Sequence, residues 1–252
     1  MNFRQLLREE RLRARQAAET ESQGTCAAPQ EPPSRDASDA TRVTAEWART
    51  PLNVSEIDIE QFRKGPIPGV YYIPHWISED EEAAVLERVY SIPDDNDKVW
   101  VKLKLRRLQM WGGEVKAPFN PQPLPQWLAQ ISQALVDAGI FQKNKRPNHA
   151  LINEYDVGDG ILPHEDGPSY FPLVAIVSAG AECRITYEPH RALAASDDQA
   201  TTSEIVSRLS FQLERRSLLL FTGEAYTRYL HSIDNVEAGK RISLTVRHVE
   251  LR

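Results

Sequence analysis

Two histidines and one aspartate carry the most chemistry in this chain. His164 and Asp166 flank Glu165 in one short run, and His231 stands alone further along. In an extended segment alternate side chains share a face, so His164 and Asp166 address one centre while Glu165 turns away. His231 follows a second strand-like run, Ala225 to Leu230. Two neutral imidazoles and a carboxylate suit a ferrous ion, and three protein ligands leave three octahedral positions open for oxygen and a co-substrate. The same three groups also suit a catalytic zinc ion with a bound water. His-x-Asp by itself is short enough to arise by chance.

An anion signal follows the metal signal. From Arg241 to Arg247 the chain alternates: Ile242, Leu244 and Val246 on one face, Arg241, Ser243, Thr245 and Arg247 on the other. This is also the pattern of an amphipathic strand with a wet polar face. If the polar face points inward instead, two guanidiniums are buried and need anionic partners. A forked guanidinium matches a carboxylate bidentately. Arg241 would then hold the distal carboxylate of a keto-diacid such as 2-oxoglutarate, with Arg247 nearer the metal end. Asn153 and Tyr155 share a face of the preceding strand and offer an amide and a phenol to the same anion, although a tyrosine there is by default a core residue.

These groups need a scaffold. The chain has 252 residues, 41% hydrophobic and 26% charged, with a net charge of −6, which argues against non-specific coating of nucleic acid but leaves room for a local basic patch. Its two cysteines, Cys26 and Cys183, make no disulfide framework and fit a reducing compartment, the nucleus or cytoplasm. No apolar run is long enough for a membrane span, and the N-terminus lacks the apolar core of a secretory signal.

Residues 1–50 read as an extension: a disordered linker over Gln16 to Thr41, preceded by a short helix at Phe3 to Leu12 that is either a protein-docking peptide or a frayed tail. Residues 51–252 read as one domain. Gly69 to Pro74 is an early strand. Ser78 to Glu81 is a capping box that opens a helix carrying Val85, Leu86, Val89 and Tyr90. A second helix starts near Pro125 with Leu128, Ile131 and Leu135 on one face and Gly139 as its stop. From Ala150 onward short strand-like runs follow one another: 150–155, 173–178, 183–187, 217–221, 225–231 and 242–250. Residues 190–210 read as a surface insertion. Helices first and many short strands later indicate an α+β protein whose catalytic half is an antiparallel sandwich or barrel.

One further run suggests a substrate surface. Val101, Leu103 and Leu105 alternate with Lys102, Lys104 and Arg106, followed by Arg107 and Trp111. Basic side chains beside an aromatic suit phosphate contact and base stacking. The other reading is a half-buried strand with a solvated lysine face.

Taken together these segments resemble the AlkB-type dioxygenases, and within them the AlkB homologue 6 subfamily. The resemblance lies in Asn148 to Tyr155, Gly158 to Pro168, Ala225 to Arg228 with His231, Arg241 to Arg247, and Arg106 to Gly113 as the segment leading into the substrate lid. It spans roughly residues 50–250. It implies a double-stranded β-helix (jelly-roll) core, with His164, Asp166 and His231 as Fe(II) ligands and Asn153, Tyr155, Arg241 and Arg247 as 2-oxoglutarate contacts. The implied reaction uses O2 and releases succinate, CO2 and, from an N-methyl group, formaldehyde. A base inside a duplex must flip out to reach such a site. The substrate expected is N-alkylated RNA or DNA, touched by Lys102, Lys104, Arg106, Arg107 and Trp111, and the protein is expected to be a monomer. A methyl-lysine demethylase and a non-catalytic module that binds modified nucleic acid or a protein are the competing readings.

Overall fold

The computed structural model describes residues 56–190 and 208–250, together with Arg8, Glu9 and Leu12, which are helical. The expected linker and nearly all of the expected insertion lie outside the described residues.

The chain enters through a 3-10 turn at Ile59–Phe62 and strand β1, Val70–Ile73. Helix α1, Glu79–Tyr90, opens on the expected capping box: Ser78 Oγ accepts from the Glu81 amide at 3.1 Å and Glu81 Oε2 accepts from the Ser78 amide at 2.7 Å. Helix α2, Gln126–Asp137, buries Leu128, Ile131 and Leu135 as their spacing requires. It stops at Gly139, whose φ of +75° is the left-handed value that glycine adopts without strain, and the amides of Ile140 and Phe141 turn back onto the Leu135 carbonyl.

Between the helices the structure differs from the sequence reading. The alternation from Val101 to Arg106 is not one strand. Strand β2, Val101–Lys102, turns back through Leu103 to Arg106 into β3, Arg107–Trp111, and the Leu103 amide closes the hairpin on the Arg106 carbonyl at 2.9 Å. Leu103 and Arg106 face each other across the two-residue turn and share a face although they are three apart, so the alternation changes phase there and the unbroken period of the sequence misleads.

The rest is antiparallel sheet: β4 His149–Tyr155, β5 Ile161–His164, β6 Tyr170–Gly180, β7 Cys183–Pro189, β8 Leu209–Leu213, β9 Leu218–Thr222, β10 Tyr229–Ile233 and β11 Arg241–Val249. Strand β8 begins inside the stretch read as an insertion. The run 225–231, read as one strand, is split: a short helix α3, Gly223–Thr227, precedes β10. The strands form a seven-stranded sheet in the order β1-β9-β6-β11-β4-β3-β2 and a four-stranded sheet in the order β5-β10-β7-β8. This is the expected jelly roll.

Two apolar clusters follow from the alternation. Ile242, Leu244 and Val246 of β11 pack with Leu128, Ile131 and Leu135 on the helix side of the large sheet. Ile161, Ile185, Tyr187 and Ile233 of the small sheet meet Leu151, Val174 and Ile176 of the large one. Each side chain so buried contributes about 1.5–3 kcal/mol. Among the described residues no helix is long and apolar enough to cross a membrane.

Candidate active site

Strand β11 lies between β4 and β6, and both of its faces are covered: the helices pack on one and the four-stranded sheet on the other. Its polar face is buried between the two sheets, with Arg241 0%, Ser243 3%, Thr245 8% and Arg247 1% exposed. The inward alternative raised by the sequence is therefore the one adopted. The register sets Arg241 opposite Tyr155, Ser243 opposite Asn153 and Arg247 opposite His149 on β4.

The small sheet supplies the histidines. His231 on β10 pairs in register with His164 at the end of β5, and the two ring centroids are 4.3 Å apart. Asp166 follows two residues after β5 and is buried on the same side. Its Oδ2 lies 3.8 Å from His231 Nε2. His164, Asp166, His231, Asn153, Tyr155, Arg241 and Arg247 all line one cavity, together with Leu151, Ile161, Ile176 and Ile233. Among the described residues, no three His, Cys, Asp or Glu side chains stand grouped as a finished metal cage. Arg247 Nη1 donates to Asp166 Oδ1, so half of the carboxylate is committed to the large sheet.

The remaining donors still fit a divalent ion. Asp166 Oδ2 is buried with no hydrogen-bond partner and faces His231. Burial, with the neighbouring His231 adding to it, holds His164 neutral well below the usual histidine range. Burial also lowers the pKa of His231, against the pull of Asp166. Neutral imidazole is the ligating form. His164 Nδ1 lies 2.9 Å from the Leu162 carbonyl, which fixes that nitrogen as the proton-bearing one and places the lone pair on Nε2.

The anion pocket lies at the other end of the cavity. Arg241 donates from Nη2 to Ser178 Oγ at 3.2 Å and lies 5.3 Å from the Tyr155 ring centre. Its Nε and Nη1 are buried without a hydrogen-bond partner among the described residues. A buried cation with two unmet donors requires an anionic ligand.

The residues read as nucleic-acid contacts divide into two groups. Lys102 and Lys104 are exposed on the hairpin. The other three turn inward. Arg106 is 3% exposed and donates from Nε to Asn153 Oδ1 at 3.1 Å. Arg107 grips Glu154 through Nε at 2.6 Å and Nη2 at 3.0 Å, and stacks 4.0 Å from the Trp100 ring centre. Trp111 donates to Gln109 at 3.1 Å and packs against the helix-side core.

Several site residues were not singled out by the sequence. Tyr187 pairs in register with His231, and burial followed by the nearby Asp166 carboxylate raises its phenol well above the usual range. Its place was recoverable from the alternation Cys183, Ile185, Tyr187. Tyr226 on α3 donates to the Gly167 carbonyl at 2.7 Å and pins the loop that carries Asp166. His149 on β4 is 1% exposed, and both ring nitrogens are without a hydrogen-bond partner among the described residues.

His149 has a measurable consequence. Burial first, then the positive charge of Arg247, lowers its pKa to about 3. In the unfolded chain it titrates near 6.5. Between those values the unfolded chain binds a proton that the folded chain refuses. Its contribution is neutral above about pH 6.5 and destabilises increasingly as the pH falls, reaching roughly 2 kcal/mol at about pH 5. From about pH 7.5 to about pH 5, His149→Leu is expected to lose about 2 kcal/mol less unfolding free energy than the parent, measured by urea denaturation. Parallel losses in the two proteins would mean that the imidazole is protonated inside the fold.

Comparison with known proteins agrees with this architecture. Residues 69–247 match the family described as the 2OG-Fe(II) oxygenase superfamily. The chain is 36% identical over 224 residues to the "Probable RNA/DNA demethylase ALKBH6" of Danio rerio, covering 77% of this chain and 91% of that one. It is 24% identical to "Uncharacterized protein L905" of Acanthamoeba polyphaga mimivirus, covering 72% and 85%. It is 29% identical to the "tRNA (carboxymethyluridine(34)-5-O)-methyltransferase ALKBH8" of Macaca fascicularis, covering 69% of this chain but only 26% of that one. With a matching family model over most of its length, this chain belongs to the 2OG-Fe(II) oxygenase superfamily, in its AlkB-like group, and is an Fe(II)- and 2-oxoglutarate-dependent dioxygenase.

Proposed function

We propose that this dioxygenase demethylates N-alkylated nucleic acid, consuming O2 and 2-oxoglutarate and releasing succinate, CO2 and formaldehyde. The observation that carries the assignment of residues is Arg241, a fully buried guanidinium with two unmet donors in the cavity that His164, Asp166 and His231 also line. His164, His231 and the open oxygen of Asp166 are the Fe(II) ligands. Arg241, Tyr155 and Asn153 take the distal carboxylate of 2-oxoglutarate, and Arg247 serves the metal end while fixing Asp166. Fe(II) and 2-oxoglutarate held by these residues would supply the oxidative chemistry, with one atom of O2 ending in succinate and the other in a substrate C–H bond. On an N-methyl group the product is N–CH2–OH, which collapses to N–H and formaldehyde. Leu151, Ile161, Ile176 and Ile233 give the cavity an apolar wall.

Two features support nucleic acid as the substrate class. The relatives that share most of the dioxygenase region include proteins named for RNA/DNA demethylation and for tRNA modification. The hairpin also keeps Lys102 and Lys104 exposed beside the inward-turned Arg106. A nuclear or cytoplasmic location belongs to the same proposal.

The test is formaldehyde and succinate release by the full chain with Fe(II), 2-oxoglutarate and O2, offered N-methylated oligonucleotides or methyl-lysine peptides. Formaldehyde from oligonucleotide alone is expected. Formaldehyde from peptide alone would replace this reading with a protein demethylase, and no succinate in any arm would leave a binding module. The double change Lys102→Glu and Lys104→Glu is expected to weaken oligonucleotide binding and to lower its log–log salt slope by about 0.7–0.9 for each phosphate no longer neutralised. Unchanged binding would remove the hairpin from the interface.

A further inference from the structure

We propose that Arg106 is a positioning residue for the co-substrate: it sets the orientation of the Asn153 amide and ties the β2–β3 hairpin to the 2-oxoglutarate pocket. This rests on the reading of Asn153 as a co-substrate contact.

The hairpin carries two adjacent arginines that reach opposite faces of β4. Arg107 opposes Glu154 in register and clamps it with two charge-assisted hydrogen bonds, which anchors the base of the hairpin. Arg106, the last residue of the turn, reaches the inner face, where its Nε lies 3.1 Å from Asn153 Oδ1 in a buried contact spanning 47 residues of sequence. A guanidinium has donors only, so the amide oxygen must face Arg106. The NH2 half of Asn153 is then the half that can donate to an acceptor in the cavity. That is the polarity a carboxylate requires. An amide turned the other way would present an oxygen to the anion and repel it.

The placement of Asn153 makes this orientation matter. It lies beside Ser243 in register and lines the cavity with Tyr155 and Arg241. The positive charge of Arg106 is also felt at the buried Tyr155 phenol and at His164. Arg106 thus leaves the turn that bears Lys104 at its tip and ends on a side chain assigned to the co-substrate. Ordering of the hairpin and filling of the pocket are linked through one hydrogen bond, and such linkage acts in both directions.

The experiment measures 2-oxoglutarate affinity calorimetrically on the full chain loaded with Mn(II), which holds the site without turnover. Arg106→Ala is expected to weaken binding about tenfold, equivalent to about 1.4 kcal/mol, and Arg106→Lys by less, because an ammonium can still donate to Oδ1. Asn153→Ala is expected to weaken binding by a similar factor, and the double variant no further than Asn153→Ala alone. Backbone amide exchange in residues 103–108 is expected to slow when 2-oxoglutarate binds the parent but not Arg106→Ala. If Arg106→Ala does not fold, Arg106→Lys with Asn153→Ala carries the same cycle. Additive losses, or unchanged affinity in the Arg106 variants while Asn153→Ala weakens binding, would overturn the role of Arg106 alone. Unchanged affinity in Asn153→Ala would overturn the assignment of the pocket as well.

Discussion

Asp166→Ala is expected to abolish both succinate formation and Fe(II) retention, and to destabilise the fold by about 3–5 kcal/mol. The two effects have different origins on one carboxylate. Oδ2 is the oxygen open to a metal beside His231, and its loss removes one of three proposed ligands. Oδ1 accepts from Arg247, a guanidinium only 1% exposed, and its loss strips a buried cation of its carboxylate. Combining Asp166→Ala with Arg247→Met separates these contributions. The pair is expected to recover most of the lost stability by urea denaturation, because a buried ion pair replaced by apolar side chains is often neutral or better. Succinate formation should not return. If Asp166→Ala still retained Fe(II) and made succinate at the parental rate, Asp166 would not be a ligand.

The site was legible in the sequence where chemistry and local geometry coincide. His164 and Asp166 share a face because they are two residues apart, and the alternation from Arg241 to Arg247 separates its two faces without any knowledge of the fold. What alternation does not encode is which face goes inward. That is decided by what stacks on each face of the large sheet, the helices on the Ile242, Leu244 and Val246 side and the small sheet on the Arg241 and Arg247 side, a product of long-range packing. His231 is a similar case: nothing near it in the chain marks it, and it reaches His164 only because β10 and β5 are neighbours.

The misread segments fail for the same reason. Arg106 and Arg107 look like two members of one basic run until the turn at 103–106 reverses the chain and sends them to Asn153 and Glu154. The run 225–231 has strand-like residues, but α3 occupies its start, and that helix delivers Tyr226 to the Gly167 carbonyl. Helices α1 and α2 were legible almost to the residue because their signals are local: Ser78 with Glu81 at one end, Gly139 at another.

Arg241→Met is expected to separate stability from function in the opposite sense to Asp166→Ala. In the free protein Arg241 is fully buried, makes one hydrogen bond to Ser178 and carries two unmet donors. An apolar side chain of similar reach removes those unmet groups, so the variant is expected to equal or exceed the parent in stability, by up to about 1–3 kcal/mol. Tyr155 retains its burial and loses only a cation stacked at 5.3 Å. The KM for 2-oxoglutarate is expected to rise about 100-fold or more, because two charge-assisted hydrogen bonds to the distal carboxylate, together about 3 kcal/mol, are removed. A mono-acid such as 2-oxobutyrate, which has no distal carboxylate to bind, should lose little or nothing in the variant. The buried cation destabilises the free fold because its partner is a ligand, and bound 2-oxoglutarate should therefore raise the melting temperature of the parent far more than that of Arg241→Met. Equal ligand-induced shifts in the two proteins would mean that the dicarboxylate binds elsewhere.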